Sequence, residues 1–333
     1  MRRVLFTVVK VAIAVVLLYV LLRGTRWSDF RDAFEHVRWP WFVLAIFLHI
    51  PGYLISAWRW RLLLVAQGER IPFRKLVESY VVATFFNCTM LGTLSGDMVR
   101  LTDTGLGRKR GAQAASSILV ERLTGLVTMV LLAALGMLLL ALGGMSGHLG
   151  ALVWAALVLF ALFCAGLVVL IRPGITRRLA DLSGRIVPLA GRLGHKLANS
   201  LEVFHADRRP VYISLAWALL LQINVAAHWF CLALAMGAPA VRVAPLRYAF
   251  GYMVLAPLIT LILMLPLTPG GAGIRELTLD ELRGGLGFPL TEAGAASAIL
   301  MGWLQVASVL VYGAAGFVIF ITRSFRRRSA ESA

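Results

Sequence analysis

Leu265-Pro266-Leu267-Thr268-Pro269-Gly270-Gly271-Ala272-Gly273-Ile274-Arg275-Glu276 decides how this chain is read. It follows an apolar run from Pro245 to Met264, and another long apolar segment comes after it. Proline removes a backbone donor and glycine loosens the chain, so helix hydrogen bonding stops here. At membrane depth, broken backbone survives only where protein or a water-filled cavity satisfies its N–H and C=O groups. The stretch is therefore expected to be the tip of a re-entrant helical hairpin. Pro266, Pro269, Gly270, Gly271 and Gly273 make the break, and Arg275-Glu276 begins the returning helix.

An earlier stretch has the same plan. Met90-Leu91-Gly92-Thr93-Leu94-Ser95-Gly96-Asp97-Met98-Val99-Arg100-Leu101 runs from an apolar lead-in through small residues to a charged end. Gly92 and Gly96 mark its break. Gly96 corresponds to Gly271, and Arg100 to Arg275.

Composition sets the class. The 333 residues are 59% hydrophobic and only 15% charged, with a mean hydropathy of +0.82. An ordinary soluble domain carries more charge. The apolar runs are continuous and of bilayer length, which predicts helices; a transmembrane β-barrel would show short alternating segments. Net charge is +17. In a soluble protein this would suggest nucleic acid. In a membrane protein it reads as positive-inside topology and contact with anionic lipid headgroups, with no nucleic-acid partner. Cys88, Cys164 and Cys231 stand at unrelated spacings, so neither a disulfide framework nor a metal site is expected.

Six full spans and two hairpins follow from the order of apolar and basic segments. Residues 1–145 form a first membrane repeat, with spans at about 4–22, 41–65 and 114–142 and a hairpin at about 72–110. Residues 146–322 form a second, with spans at about 151–171, 211–235 and 292–321 and a hairpin at about 245–283. A basic tail, 323–333, closes the chain. Met1-Arg2-Arg3 and Val4 to Leu22 read as an uncleaved first helix rather than a removed signal. Arg59 and Arg61 close the second span at a basic cytoplasmic turn, and Arg108-Lys109-Arg110 ends the first hairpin on the same side. In this arrangement most of the 33 Lys and Arg face the cytoplasm, with both termini inside. Making Pro245–Leu267 a full span would move the tail arginines out, so the charge bias favours six spans and two hairpins, although a plain hydropathy count would give eight spans. Residues 172–210 carry basic residues between leucines at roughly helical spacing, which suggests an amphipathic helix on the inner leaflet.

The two halves also correspond in sequence. Pro72-Phe73-Arg74 aligns with Pro245-Leu246-Arg247, and Ala114 to Leu119 aligns with Ala295 to Leu300. Each half reads span, span, hairpin, span. An odd number of spans makes the second copy face the other way, and inverted repeats with broken helices are a recurring plan of secondary transporters.

Gly96-Asp97-Met98-Val99-Arg100, Val120-Glu121-Arg122-Leu123 and Leu265-Pro266 through Glu276 resemble the lysylphosphatidylglycerol synthase/flippase transmembrane family, best known from MprF. The resemblance runs from about residue 5 to 320. It departs at Gly302-Trp303, where many relatives carry an arginine equivalent to Arg122. It departs again at Leu94-Ser95, where a proline is usual. It implies lipid handling in the bacterial inner membrane: relatives are linked to aminoacylated phosphatidylglycerol, hopanoids and polyprenyl-linked glycolipids. The family's lysyl-transfer activity would need a further soluble domain beyond Ala333, so an enzyme is not expected of these residues.

The candidate chemistry is anionic recognition. A helix N-terminus beside a break offers free N–H groups to anions. Arg100 and Arg275, a turn further on, could grip a lipid phosphate in bidentate fashion, or could lock each hairpin by pairing with Asp97 or Glu276. Glu121 and Arg122 point about 100° apart and must meet other elements, Glu121 with Arg100 or Arg275 and Arg122 with Asp97. Gln222, Asn224 and His228 read as polar contacts between helices; His228 also has the alternative of a proton relay. Asp280-Glu281 reads as solvated loop. No nucleotide loop, metal motif or nucleophile motif occurs, and no cofactor is expected. The leading expectation is a lipid flippase for an anionic, aminoacylated or polyprenyl-linked lipid. The alternatives are a membrane enzyme on a lipid-linked sugar and an accessory subunit of an envelope complex, with a partner protein or a second copy.

Overall fold

A computed structural model describes residues 27–89, 94–103, 111–143, 149–186, 188–237, 244–264, 268, 271–285 and 294–331. The expected first span, the Arg108–Arg110 triplet, Gly92, Pro266, Pro269 and Gly270 lie outside these residues. The described residues form helices and no strand. In chain order they are α1 Trp27–Glu35, α2 Trp39–Phe47, α3 His49–Ala66, α4 Phe73–Thr89, α5 Leu94–Asp103, α6 Gly111–Leu142, α7 Leu149–Ile171, α8 Pro173–Ile186, α9 Pro188–Ala206, α10 Arg209–Ala235, α11 Pro245–Met264, α12 Ile274–Gly285 and α13 Gly294–Glu331.

Among the described residues, five segments are long and apolar enough to cross a membrane: Trp39–Ala66, Gly111–Leu142, Arg209–Ala235, Pro245–Met264 and Ala296–Arg323. A sixth candidate is Leu157–Val169 with Gly174–Arg185, bent by 89°. The apolar windows of α6 and α10 are each 50% buried, against 17% for the α2–α3 span, so α6 and α10 form the centre. Val130, Leu132, Met137 and Leu140 of α6 pack with Trp229 and Leu232 of α10, and with Tyr252, Val254 and Leu255 of α11. Small residues allow this closeness: a Cβ at Gly136 would stand 2.9 Å from Phe250 O on α11. Such contacts matter where lipid tails give helices no hydrophobic reason to associate.

Several expectations change. Residues 27–35, between the first two expected spans, are helix α1. The basic tail continues the last span, because α13 runs unbroken to Glu331. No Gly or Pro interrupts 317–331, and Arg is a good helix former. Asp280 and Glu281 lie on α12 rather than in a loop, with Asp280 half-buried. The 172–210 segment is two helices, α8 and α9, packed so tightly that a Cβ at Gly191 would stand 2.4 Å from Gly184 Cα.

Candidate functional site

Short α5 lies along α4, and α4 caps it. Asn87 Oδ1 accepts the Gly96 N–H at 2.8 Å, and Ser95 Oγ donates to Phe86 O at 3.2 Å. A Cβ at Gly96 would stand 2.6 Å from that Asn87 oxygen, so glycine is what admits the cap. One of the N–H groups at the helix start expected to face an anion is therefore already satisfied by a side chain.

One turn on, Arg100 enters the protein. It is 5% exposed, and its guanidinium lies over the rings of Trp60 at 4.2 Å and Tyr80 at 4.1 Å. Nη2 donates to Glu121 Oε2 on α6 at 2.5 Å, and Nη1 donates to Asp97 Oδ1 at 3.3 Å. The Tyr80 hydroxyl donates to the other Glu121 oxygen. Arg122 Nε donates to Asp97 Oδ2 at 2.5 Å. The charges thus alternate Arg122, Asp97, Arg100, Glu121. Burying such ions is repaid only when their remaining hydrogen-bonding capacity is met as well, which Tyr80 does for Glu121.

Arg59 of α3 joins this cluster. The sequence reading put it at a cytoplasmic turn; the structure buries it to 2% exposure. Its Nη2 donates to Glu121 O at 2.8 Å and Thr124 Oγ1 at 3.0 Å, both neutral acceptors. Its Nε is buried without a hydrogen-bond partner. A signal existed: Ile55, Arg59 and Leu63 share one helical face, and all three are buried. Together, Arg59, Arg100, Arg122, Asp97 and Glu121 set three positive charges against two negative ones. They line a cavity of about 280 Å³, with Gly125 and Thr260 on its wall. A larger cavity of about 830 Å³, at Gln113, Lys196 and Ser200, holds no buried charge.

Arg275 has a separate set of described partners. Gly271 (φ +75°) and Gly273 (φ +81°) adopt the left-handed conformation that glycine tolerates best. A Cβ at Gly271 would stand 2.3 Å from Leu263 Cδ2 and 3.3 Å from Arg275 Nη2. The Glu276 carboxylate caps α12, accepting Gly273 N–H at 2.7 Å. Arg275 Nη1 lies 3.7 Å from Glu276 Oε1 and donates weakly to Gly302 O at 3.5 Å. Arg275 is 5% and Glu276 1% exposed. Both helix starts at the breaks are thus capped from within, by Asn87 and by Glu276.

The polar residues of α10 reach neighbouring backbone. Asn224 Nδ2 donates to Leu48 O at 2.9 Å, and Gln222 Nε2 approaches Gly125 O at 3.5 Å. Besides Arg59, the sequence reading missed Trp60 and Tyr80, the aromatic walls of the Arg100 site, and His49, which meets His228. Among the described residues no cluster of three or more His, Cys, Asp or Glu is placed to hold a metal.

Residues 7–316 match the family described as the lysylphosphatidylglycerol synthase TM region, and the chain belongs to that family. A search of curated proteins gave no match.

Proposed function

We propose that this member of the family moves an anionic lipid across the bacterial inner membrane, taking its headgroup into the cavity lined by α3, α4, α5, α6 and α11. The observation that carries this reading is the charge imbalance: three guanidiniums face two carboxylates in a space of about 280 Å³. Charge inside a membrane protein is costly and is retained for function by default. Among the described residues the guanidiniums of this cluster outnumber its carboxylates by one, an excess that suits a headgroup with one net negative charge, such as a phosphodiester. Arginine can meet phosphate through two parallel hydrogen bonds.

Arg275 supplies a second station in this reading. We take α4–α5 and α11–α12 as two re-entrant hairpins and the chain halves as inverted repeats. Extending the alignment of 114–119 with 295–300 sets Glu121 opposite Gly302. Arg100 contacts Glu121, and Arg275 contacts Gly302. Equivalent arginines thus reach equivalent points of the following helix, which supports the repeat. Alternating exposure of the two stations would carry the headgroup while its tails stay in lipid. Both termini are taken as cytoplasmic, the chemistry as non-enzymatic, and the partners as membrane lipids, with an envelope protein or second copy as a further associate.

The test is lipid flipping in proteoliposomes with fluorescent phosphatidylglycerol and phosphatidylcholine, comparing wild type with Arg100→Ala and Arg275→Ala. Loss in both folded variants, with phosphatidylglycerol preferred, supports the reading. Normal flipping by both variants removes the site assignment. No movement of any lipid by folded wild type removes the translocator itself.

A further inference from the structure

Two imidazoles meet where α3, α10 and α13 converge. The rings of His49 and His228 have centroids 4.6 Å apart. The oxygens around them fix where their hydrogens sit. His228 Nδ1 lies 2.9 Å from Ala45 O, a carbonyl that can only accept. Nδ1 therefore carries the hydrogen, and Nε2 is the bare nitrogen, buried without a hydrogen-bond partner. Ser308 Oγ donates its single hydrogen to Gln305 O at 2.7 Å. It therefore accepts from His49 Nε2 at 3.0 Å, which leaves His49 Nδ1 bare. Each ring is neutral, and each keeps one basic nitrogen.

The described neighbours offer no counter-ion. Tyr53 of α3 and Tyr312 of α13 face His49, with ring centroids at 6.3 and 5.3 Å. Cys88 of α4 lies within electrostatic reach of Tyr53, and Arg275 of α12 within reach of Cys88. From α2 come only the carbonyls of Ala45 and Ile46, the latter accepting the Tyr312 hydroxyl at 2.9 Å. Helices α6 and α11 meet α10 elsewhere, at Gln222 and Phe230. No carboxylate among the described residues interacts with either imidazole. A proton on buried His228 would make a buried cation with no carboxylate beside it, and one on half-buried His49 would repel it. In a hydrated junction an imidazole takes a proton near pH 6.5.

We propose that His49 and His228 form a proton-binding site that holds α3, α10 and α13 together while empty and parts them when a proton binds. The sign follows from linkage: the packed junction binds fewer protons than the opened one, so it is favoured above about pH 6.5 and lost as pH falls below that. For one imidazole, the opened fraction rises about tenfold between pH 7.5 and 5.5. Because α3 also carries Arg59, parting the junction moves one wall of the charged cavity.

Amide hydrogen exchange on the full chain in lipid nanodiscs tests this, with rates corrected for the intrinsic effect of pH. Residues 222–232 and 305–313 should exchange about tenfold faster at pH 5.5 than at pH 7.5. His228→Asn keeps an amide donor near the Nδ1 position, and His49→Gln keeps one near Nε2, but neither has a basic nitrogen. The double variant should exchange alike at both pH values. Equal wild-type rates at both pH values, or acid opening that persists in a folded double variant, overturns the proposal. ¹⁵N-imidazole spectra of wild type give a second arm that needs no variant. Imidazolium signals that appear with the opening support the site, and neutral rings down to pH 5.5 overturn it. None of these readouts requires lipid movement, so they stand apart from the flipping assay.

Discussion

The Glu276 carboxylate occupies the space that a side chain on Gly302 would take: a Cβ there would stand 2.7 Å from Glu276 Oε1 and 3.0 Å from its Cγ. In the other half of the chain the matching position on α6 bears its own carboxylate, Glu121, against Arg100. Each arginine has an acid beside it, supplied by the long helix in one case and by the arginine's own neighbour in the other.

Gly302→Ala should therefore be destabilising although alanine is the better helix former. Glu276 is 1% exposed and has no free direction in which to retreat. Overpacking of this kind costs about 1–3 kcal/mol. Thermal unfolding in detergent should show it as a lowered Tm. Adding Glu276→Ala should cost less than the sum of the two single changes, because the clash is gone. Full additivity would mean that the two residues do not compete for space.

Arg100 and Glu121 should show strong coupling. Removing either one by Arg100→Gln or Glu121→Gln leaves a buried charge short of its partner, a loss of about 3–5 kcal/mol. The double variant should lose much less than the two single variants together. Arg100→Lys should recover little, because an ammonium cannot make the same planar contacts over Trp60 and Tyr80. Denaturation midpoints for wild type and these four variants decide this, and a lysine variant as stable as wild type would refute the aromatic role.

Arg59→Gln separates binding from folding. Glutamine ends two bonds short of Nη2, near the Nε position that has no acceptor, so the hydrogen bonds to Glu121 O and Thr124 Oγ1 are lost and stability should fall by about 1–3 kcal/mol, which Tm reads separately. Loss of a charge-assisted contact to a headgroup, about 1.5–3 kcal/mol, should slow phosphatidylglycerol flipping roughly 10- to 100-fold. Unchanged flipping in proteoliposomes would remove Arg59 from the path.

Gly316 sets the spacing of α13 against α4, since a Cβ there would stand 2.2 Å from Val81 O. Further along α13, Arg323 binds Glu78 of α4 and, at 2.5 Å, Asp103 Oδ2 of α5. Gly316→Ala must shift backbone against backbone, at a cost of about 1–3 kcal/mol. It should also loosen the Arg323 bridge. Faster proteolysis within 323–331, together with a lower Tm, is the expected result; Gly111→Ala, with nothing within 4 Å of its Cβ, serves as the control.

Much of the architecture could be read from the chain alone. Hydropathy is a sum over sequence neighbours, so the membrane class, the all-helical character of the described residues and the approximate ends of α6 and α10 followed from composition and run length. Glycine at 271 and 273 marked a turn because few other residues accept that backbone. Asp97 and Arg100, one helical turn apart, were already within reach of each other. Other features depended on which helix lies opposite and how each is rotated about its own axis. That Arg59 turns inward while Arg61 remains half-buried, that Trp60 and Tyr80 close over Arg100, and that Glu276 fills the gap above Gly302 were settled by packing. His49 meeting His228 across 179 positions of sequence was settled the same way. Local propensity fixes that a segment is a helix and that it belongs in lipid; a side chain's partner is fixed only when close-packed neighbours leave a single rotation and depth for each helix.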